Sequence, residues 1–415
     1  MEKKNSFFAV ITVSFLITGN LIGAGILGLP VNTGIDGLIP SLLAMLVFGS
    51  AMFYSAIVLG KEAVEKHEET FNYPSLYRQY IGSIGKWVAI LANMLILYGL
   101  LTAYLTGGST IICRIFKISD SYTWMIILLV FLVLAIFTLS GFKIIQKYNV
   151  LLMLLLWGSF AVIVVLGERH VEPLRLVQSD WVFLPVALPI IITSFHFHNI
   201  IPNICHSLEW KMKSIWKAML FGMIIGYLMN AIWIEVGVGM LPLDTGKDSL
   251  VYCYTHNIPA NVPMAQLVNS KMFTLFSMLF ALLAITTSFV ANGLGLSGFN
   301  RDLVQNIFKT KNKWLVKAIT FLPPLVIALL FPNIFLKAIN LVGGVGIVML
   351  FGILPAIIAF IKAKSVKAKV FAVIILLLFA SVFIFQVCEE TGLMNIQPRH
   401  EHVKAKVQQH LANTK

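Results

Sequence analysis

Charge is what this chain has least of. Only 12% of its 415 residues are Asp, Glu, Lys or Arg, about half the ~25% of a soluble globular chain. That supply cannot cover the surface of the two or three soluble domains the length would otherwise suggest. Acidic residues are the scarcest, 18 against 31 basic ones, which leaves a formal net charge of +13. Cysteine is rare as well. Cys113, Cys205, Cys253 and Cys388 are scattered without metal-type spacing. They read as isolated thiols in apolar surroundings, with one disulfide among Cys113, Cys253 and Cys388 as the alternative. Also missing is the polar/apolar alternation over about 10 residues that a membrane barrel needs.

What is present is apolar length. Hydrophobic residues make up 58% of the chain, in runs of the ~20 residues that cross a bilayer core as helix. Eleven spans are expected, at Phe8–Gly34, Leu38–Leu59, Trp87–Ile112, Tyr122–Leu139, Val150–Leu166 and Val182–Ile204 in the first part. Ile215–Met240, Ser270–Leu296, Leu315–Phe331, Ile334–Phe360 and Val370–Val387 follow. The fold class is therefore an all-α polytopic membrane protein. The first span is too long, and lacks a convincing small-residue cleavage site, to be a signal peptide.

The basic residues sort to one side of these spans. With the N-terminus inside, that side collects Lys3 and Lys4, then Lys61, Lys66, Arg78 and Lys86, then clusters within 143–147, 211–217, 301–317 and 362–369. Such a bias places the N-terminus in the cytoplasm. The odd span count puts the C-terminal tail, with His400, His402 and His410, outside. The positive excess is thus a topology signal and calls for no nucleic acid partner.

Two spans are interrupted. The first carries Gly19-Asn20-Leu21-Ile22-Gly23-Ala24-Gly25-Ile26-Leu27-Gly28-Leu29-Pro30, a composition that weakens a helix. The sixth carries Thr193-Ser194-Phe195-His196-Phe197-His198-Asn199, with Pro202 beyond. In each, a polar or small-residue break precedes a proline by eight positions. Each broken span is followed by one ordinary span and a polar excursion, Gly60–Lys86 and Pro242–Asn269. This pattern describes an inverted repeat: residues 1–170 with spans one to five, 171–365 with spans six to ten, and 366–415 outside it. Broken helices at matching positions point to a transporter's binding site. Unwound backbone in lipid must line a cavity or be buried in protein. The free amides of Gly23, Ala24 and Gly25 suit an anion at a helix N-terminus. Carbonyls at the ends of the other half-helices suit an ammonium or a metal cation. Together they describe the backbone of an amino acid.

Gly23-Ala24-Gly25-Ile26 with Pro30, Thr193-Ser194-Phe195 with Phe197-His198, and Ala284-Ile285-Thr286-Thr287-Ser288 before Gly293-Leu294-Gly295-Leu296 resemble the hydroxy/aromatic amino acid permeases. That family is the bacterial tryptophan–tyrosine permease group of the amino acid–polyamine–organocation superfamily. The resemblance implies the five-plus-five, leucine-transporter-like fold, alternating access and cation-driven uptake. It implies that Gly23, Ala24 and Gly25 bind the substrate carboxylate, and that Thr193, Ser194 and Phe195 offer carbonyls to the ammonium and part of the side-chain pocket. Tyr98 and Tyr104, on the third span, would face the substrate. Ala284, Thr287 and Ser288 are similar to the oxygen cluster that sodium-coupled relatives pair with first-helix carbonyls, here Gly19 and Ile22. The tryptophan–tyrosine branch is, however, thought to be proton-coupled. Where the family usually has Gly, this chain has His196.

His196 and His198 sit near mid-membrane, where an ionisable group is functional by default, and either suits a coupling proton. Glu235 is the one carboxylate inside a span on these boundaries and joins them as a candidate. Asn20 and Asn230 read as interhelical hydrogen-bonding amides rather than ligands. The expected protein is a secondary amino acid importer of the bacterial inner membrane. Its substrate would be tyrosine or tryptophan, its coupling ion a proton in preference to sodium, and it would have no other cofactor. Serine or threonine is the alternative substrate. A membrane-embedded enzyme and a channel are the rivals from other classes; the first lacks a nucleophile–base or metal set, the second a ring of pore residues.

Overall fold

The computed structural model describes residues 2–67, 72–139, 142–244, 246–307, 309–394 and 396. The tail histidines expected outside the membrane, and Glu68 and Glu69, lie outside these residues. Ten of the described helices are long and apolar enough to cross a bilayer, and a bent pair at the start makes eleven. All eleven expected spans are thereby accounted for.

The first span is α1 (Glu2–Leu21), a 3-10 turn at Ala24–Gly28, and α2 (Leu29–Thr33), bent by 48° at the break. Spans two to five are α3 (Leu38–Lys66), α4 (Tyr73–Ile115), α5 (Thr123–Leu139) and α6 (Phe142–Glu168). A short α7 (Pro173–Leu176) leads to the second broken span, α8 (Leu184–Ser194) and α9 (Ile201–Ser207). After the seventh span, α10 (Met212–Met240), two short helices α11 (Leu250–Thr255) and α12 (Asn261–Val268) fill the connection. Then come α13 (Lys271–Ile307), α14 (Lys313–Leu330), a tenth span of α15 (Phe335–Leu341) and α16 (Leu354–Lys362), and α17 (Val366–Glu390).

Helices are the expected solution, because in lipid each backbone polar group must be satisfied within its own segment. Large apolar side chains such as Leu132 and Ile136 on α5, Leu330 on α14 and Leu377 on α17 stay exposed, as a lipid-facing surface requires. Polar residues mark the helix starts instead. Asn72, Ser249, Asn312 and Ser365 cap α4, α11, α14 and α17 through their side chains, satisfying amides that a helix N-terminus leaves free.

Three features depart from the sequence reading. The excursion Gly60–Lys86 is largely helical, since α3 runs on to Lys66 and α4 starts at Tyr73, kinking at Gly82 where φ is +74°. Its Glu62, inside that polar excursion, is only 2% exposed. It accepts hydrogen bonds from Lys362 Nζ (2.6 Å) and Tyr80 Oη (2.8 Å), joining the second, third and tenth spans at the face where the chain begins. The third departure is a π-helical stretch, Val342–Ile353, inside the tenth span. Its glycines admit close neighbours: Gly343 lies against the Pro189 carbonyl, and a β-carbon on Gly346 would lie 2.7 Å from Ile96 Cγ1.

At the opposite face, Asp36 and Gly37 close the turn between α2 and α3. Gly37 has φ +96° and its α-carbon sits against the Gln178 carbonyl. A lone antiparallel bridge pairs it with Ser179, and the Asp180 N–H donates to the Asp36 carbonyl (2.8 Å). The two broken spans are thus tied together at this end.

Candidate functional site

The first break begins where Ile22 donates to the Thr18 carbonyl (3.0 Å), the last α-type bond of α1 in the run. Gly23 is extended, with φ −79° and ψ −172°, and the 3-10 turn restarts with Ile26 donating to the Gly23 carbonyl (3.1 Å). Ala24 and Gly25 therefore begin a helical turn whose first N–H groups have no acceptor within it. Two neighbours crowd this backbone. A β-carbon on Gly23 would lie 2.9 Å from Ser288 Oγ on α13, and one on Gly25 would lie 3.4 Å from Thr193 Cγ2 on α8. Glycine at these positions lets the broken first span touch the broken sixth and the eighth.

The second break runs over Phe195, His196 and Phe197, between α8 and a 3-10 turn at His198–Ile200. Phe195 donates its N–H to Ile192 and His196 to Thr193, each at 3.1 Å. The Thr193 and Ser194 hydroxyls are turned back to carbonyls of their own helix, Pro189 (2.9 Å) and Ile191 (2.7 Å), the usual habit of such residues in membrane helices. Asn20 reaches across to Asn199 (Nδ2 to Oδ1, 3.5 Å), an interhelical contact of the kind expected for it.

The two histidines are fully inside the protein. Their rings lie parallel at 6.1 Å between centroids, and each stands against Phe351 of the π-helical stretch. His198 Nε2 lies 3.1 Å from the Met52 carbonyl of α3. His196 Nε2 and His198 Nδ1 have no protein partner. Below them, Tyr73 donates its hydroxyl to the His198 carbonyl and Tyr77 to the Leu350 carbonyl (2.6 Å). The first two turns of α4 thus close the break from the side on which the chain begins.

The remaining sequence candidates divide. Tyr104 joins the site: Asn292 Nδ2 donates to its hydroxyl (3.3 Å) and to the Ser288 carbonyl (2.9 Å). Tyr98 does not. Its hydroxyl donates to the Ile319 carbonyl (2.8 Å) and accepts from Asn300 (3.0 Å), so it anchors α4 to α14 and α13. Phe195 turns its ring toward Gly49 of α3, 3.2 Å from a β-carbon there, and stacks on Tyr227 of α10 at 6.5 Å. In the expected cation cluster, Ala284 is fully buried and Ser288 faces the break. The Thr287 hydroxyl is committed to the Leu283 and Ala284 carbonyls (2.8 and 3.3 Å), and Gly19 faces Met153 of α6.

Glu235 stands apart. It is partly exposed and lies two residues from Trp233 and Gly237, which face the first span, hence on another side of α10. Nor is it the sole carboxylate of interest, because among the described residues Asp36 and Glu62 are the fully buried ones.

Two site residues escaped the sequence reading. Asn292 is buried with its Oδ1 unpaired, and it follows Ser288 by one helical turn. Trp233 donates its indole N–H to the Ile26 carbonyl (2.8 Å). Among the described residues, no group of three or more His, Cys, Asp or Glu is placed to hold a metal.

A bundle of about eleven apolar helices, with two of them broken and touching at mid-span, defines a polytopic membrane transport protein rather than an enzyme. Residues 3–389 match the tryptophan/tyrosine permease family, and the chain belongs to that family. It is 28% identical over 334 residues to the tyrosine-specific transport system 1 of Haemophilus influenzae, covering 80% of this chain and 82% of that one. It is 26% identical to glutamine transporter 2 of Aliivibrio fischeri (87% and 91% covered). With the low affinity tryptophan permease of Escherichia coli K12 it shares 24% identity (90% and 91% covered). A crystal structure of a manganese transporter from Eremococcus coleocola has the same fold, with a TM-score of 0.59 over 97% of this chain and 91% of that one at 14% identity.

Proposed function

We propose that this permease imports an aromatic amino acid, tyrosine or tryptophan, across the bacterial inner membrane, driven by a cation gradient, with a proton favoured over sodium. The observation that carries this reading is the meeting of the breaks. The extended Gly23 and the free amides after it lie between Ser288 and Thr193, an anion-binding terminus beside carbonyls of a second broken helix. Tyr104, Ser288 and Asn292 supply a polar wall on the third and eighth spans. Transporters of tyrosine and tryptophan among the relatives support an aromatic side chain.

On this reading spans one to five and six to ten form an inverted repeat that rocks about the midplane site. The chain starts in the cytoplasm and its C-terminus lies outside. His196 and His198 are the proton candidates, buried with unpaired ring nitrogens; Gly19, Ile22, Ala284, Thr287 and Ser288 remain the candidates for sodium.

The test is counterflow in liposomes. Labelled tyrosine, tryptophan, serine, threonine and glutamine are offered in turn, with proton and sodium gradients imposed separately. Exchange of tyrosine or tryptophan, accelerated by an inward proton gradient, is the expected result. Failure of all five to exchange in vesicles holding folded protein contradicts the assignment. Acceleration by sodium alone contradicts proton coupling.

A further inference from the structure

Every buried amide in a well-made interior is expected to find a hydrogen-bond partner, and among the described residues two, Asn230 and Asn261, find none for either atom. Asn261 opens the short α12, and Asn230 lies beside the first break. Asn230, in the middle of α10, is 0% exposed, and neither its Nδ2 nor its Oδ1 has a partner in the protein. Its position is fixed by its neighbours on the helix. Gly222, Gly226, Asn230, Trp233 and Gly237 recur at three- and four-residue spacing, so they share one face. That face lies along the first span: a β-carbon on Gly222 would lie 2.7 Å from Ile17 Cγ2, Gly226 sits against Leu21, and Gly237 against Pro30. Trp233 donates to the Ile26 carbonyl. Asn230 therefore falls opposite Ile22 to Gly25, where the helix is unwound. One turn earlier on α10, Tyr227 stacks on Phe195 of the other break. The amide thus faces the first break, one turn from the residue that reaches the second.

We infer that Asn230 binds the zwitterionic head of the transported amino acid, its Nδ2 donating to the α-carboxylate and its Oδ1 accepting from the α-ammonium. A cation alone would occupy the oxygen and leave the NH2 group orphaned. An α-amino acid offers an acceptor and a donor on adjacent groups and satisfies both ends. The inference rests on the amino acid reading above, and adds a residue from the seventh span to the site.

The test uses Asn230→Leu and Asn230→Ala in the full-length purified protein. Binding of tyrosine is compared with that of tyramine, which lacks the carboxylate, and 3-(4-hydroxyphenyl)propionate, which lacks the ammonium. The wild type is expected to prefer tyrosine. In the variants tyrosine affinity falls by about tenfold or more, and the preference over both analogues narrows. The ligand-free Asn230→Leu protein, which keeps the buried volume, melts no lower than wild type, because no hydrogen bond is lost with an amide that has no partner. Asn230→Ala loses only the packing its smaller side chain vacates. Wild-type affinity in a folded variant overturns the inference. So does an equal loss for all three compounds, an effect seen only when sodium is present, or loss of folding in both variants. If wild-type protein binds no amino acid at all, the functional reading fails first and the inference falls with it.

Discussion

Trp233 donates its indole N–H to the Ile26 carbonyl across 2.8 Å, pinning the seventh span to the first just beyond the break. The same carbonyl also accepts from the Leu29 N–H. Trp233→Phe therefore removes one of two bonds and orphans nothing. The bond is worth about 1 kcal/mol, and the space the smaller ring leaves in this fully buried position adds a comparable amount, ~1 kcal/mol. The larger effect falls on transport, because the indole fixes the half-helix whose first amides face the substrate. KM for tyrosine rises while the amount of folded protein is unchanged. An unaltered KM shows that the pin is only structural.

Tyr104 and Tyr98 make a matched pair. Tyr104→Phe strips the hydroxyl that Asn292 binds beside Ser288, so substrate affinity falls. Tyr98→Phe loses the bonds to Ile319 and Asn300, so stability falls by about 1–2 kcal/mol with affinity retained. Binding and melting curves on both variants check this, and the reverse assignment of effects contradicts the site drawn here.

Asp36 gives the protein a pH dependence. Its carboxyl is fully buried in the turn outside the spans; Ser41 Oγ donates to Oδ2 (3.0 Å) and Oδ1 has no partner. Burial holds its pKa well above the ordinary carboxylate range, and nearby Asp180 adds to the rise. The folded state thus favours the protonated form. The stability from this group is fully present below the unfolded pKa of about 3.9 and is lost as pH rises through the raised folded value. Wild type should lose thermal stability with rising pH relative to Asp36→Asn. Parallel melting profiles across the pH range contradict it.

Lys362 neutralises a carboxylate that is almost wholly buried, the Glu62 side chain being 3% exposed. Lys362→Met leaves that charge without its cation and destabilises by ~3 kcal/mol, whereas removing both charges in Glu62→Gln/Lys362→Met restores most of the loss. Urea or thermal unfolding of the two variants measures the difference. A double variant no better than the single one shows that the pair is not the cause.

The spans were legible because run length matches bilayer thickness, and the breaks because glycine, asparagine and histidine interrupt otherwise solid apolar runs. What was not legible depends on rotation about each helix. Tyr98 and Tyr104 are six residues apart, roughly 240° around a helix, and no local signal says which of them meets the eighth span. Asn292 sits among glycines and serines on α13, and only the packing of α13 on α4 makes it part of the wall. Asp36 falls in the short link between two spans, where nothing local marks it as buried; the return of residues 178–180 from beyond the fifth span is what buries it. Asn230 was read as one half of an interhelical bond, and the structure supplies no second half.

Gly25→Val tests the site most directly. A β-carbon on Gly25 would already lie 3.4 Å from Thr193 Cγ2, so a branched side chain fills the space at the free amides. Tritiated tyrosine binding is measured on wild type and Gly25→Val, both inserted in the membrane and monodisperse after purification. Saturable binding to wild type and none to Gly25→Val is the expected outcome. Undiminished binding by folded Gly25→Val would mean that the amino acid does not sit where the two broken helices meet.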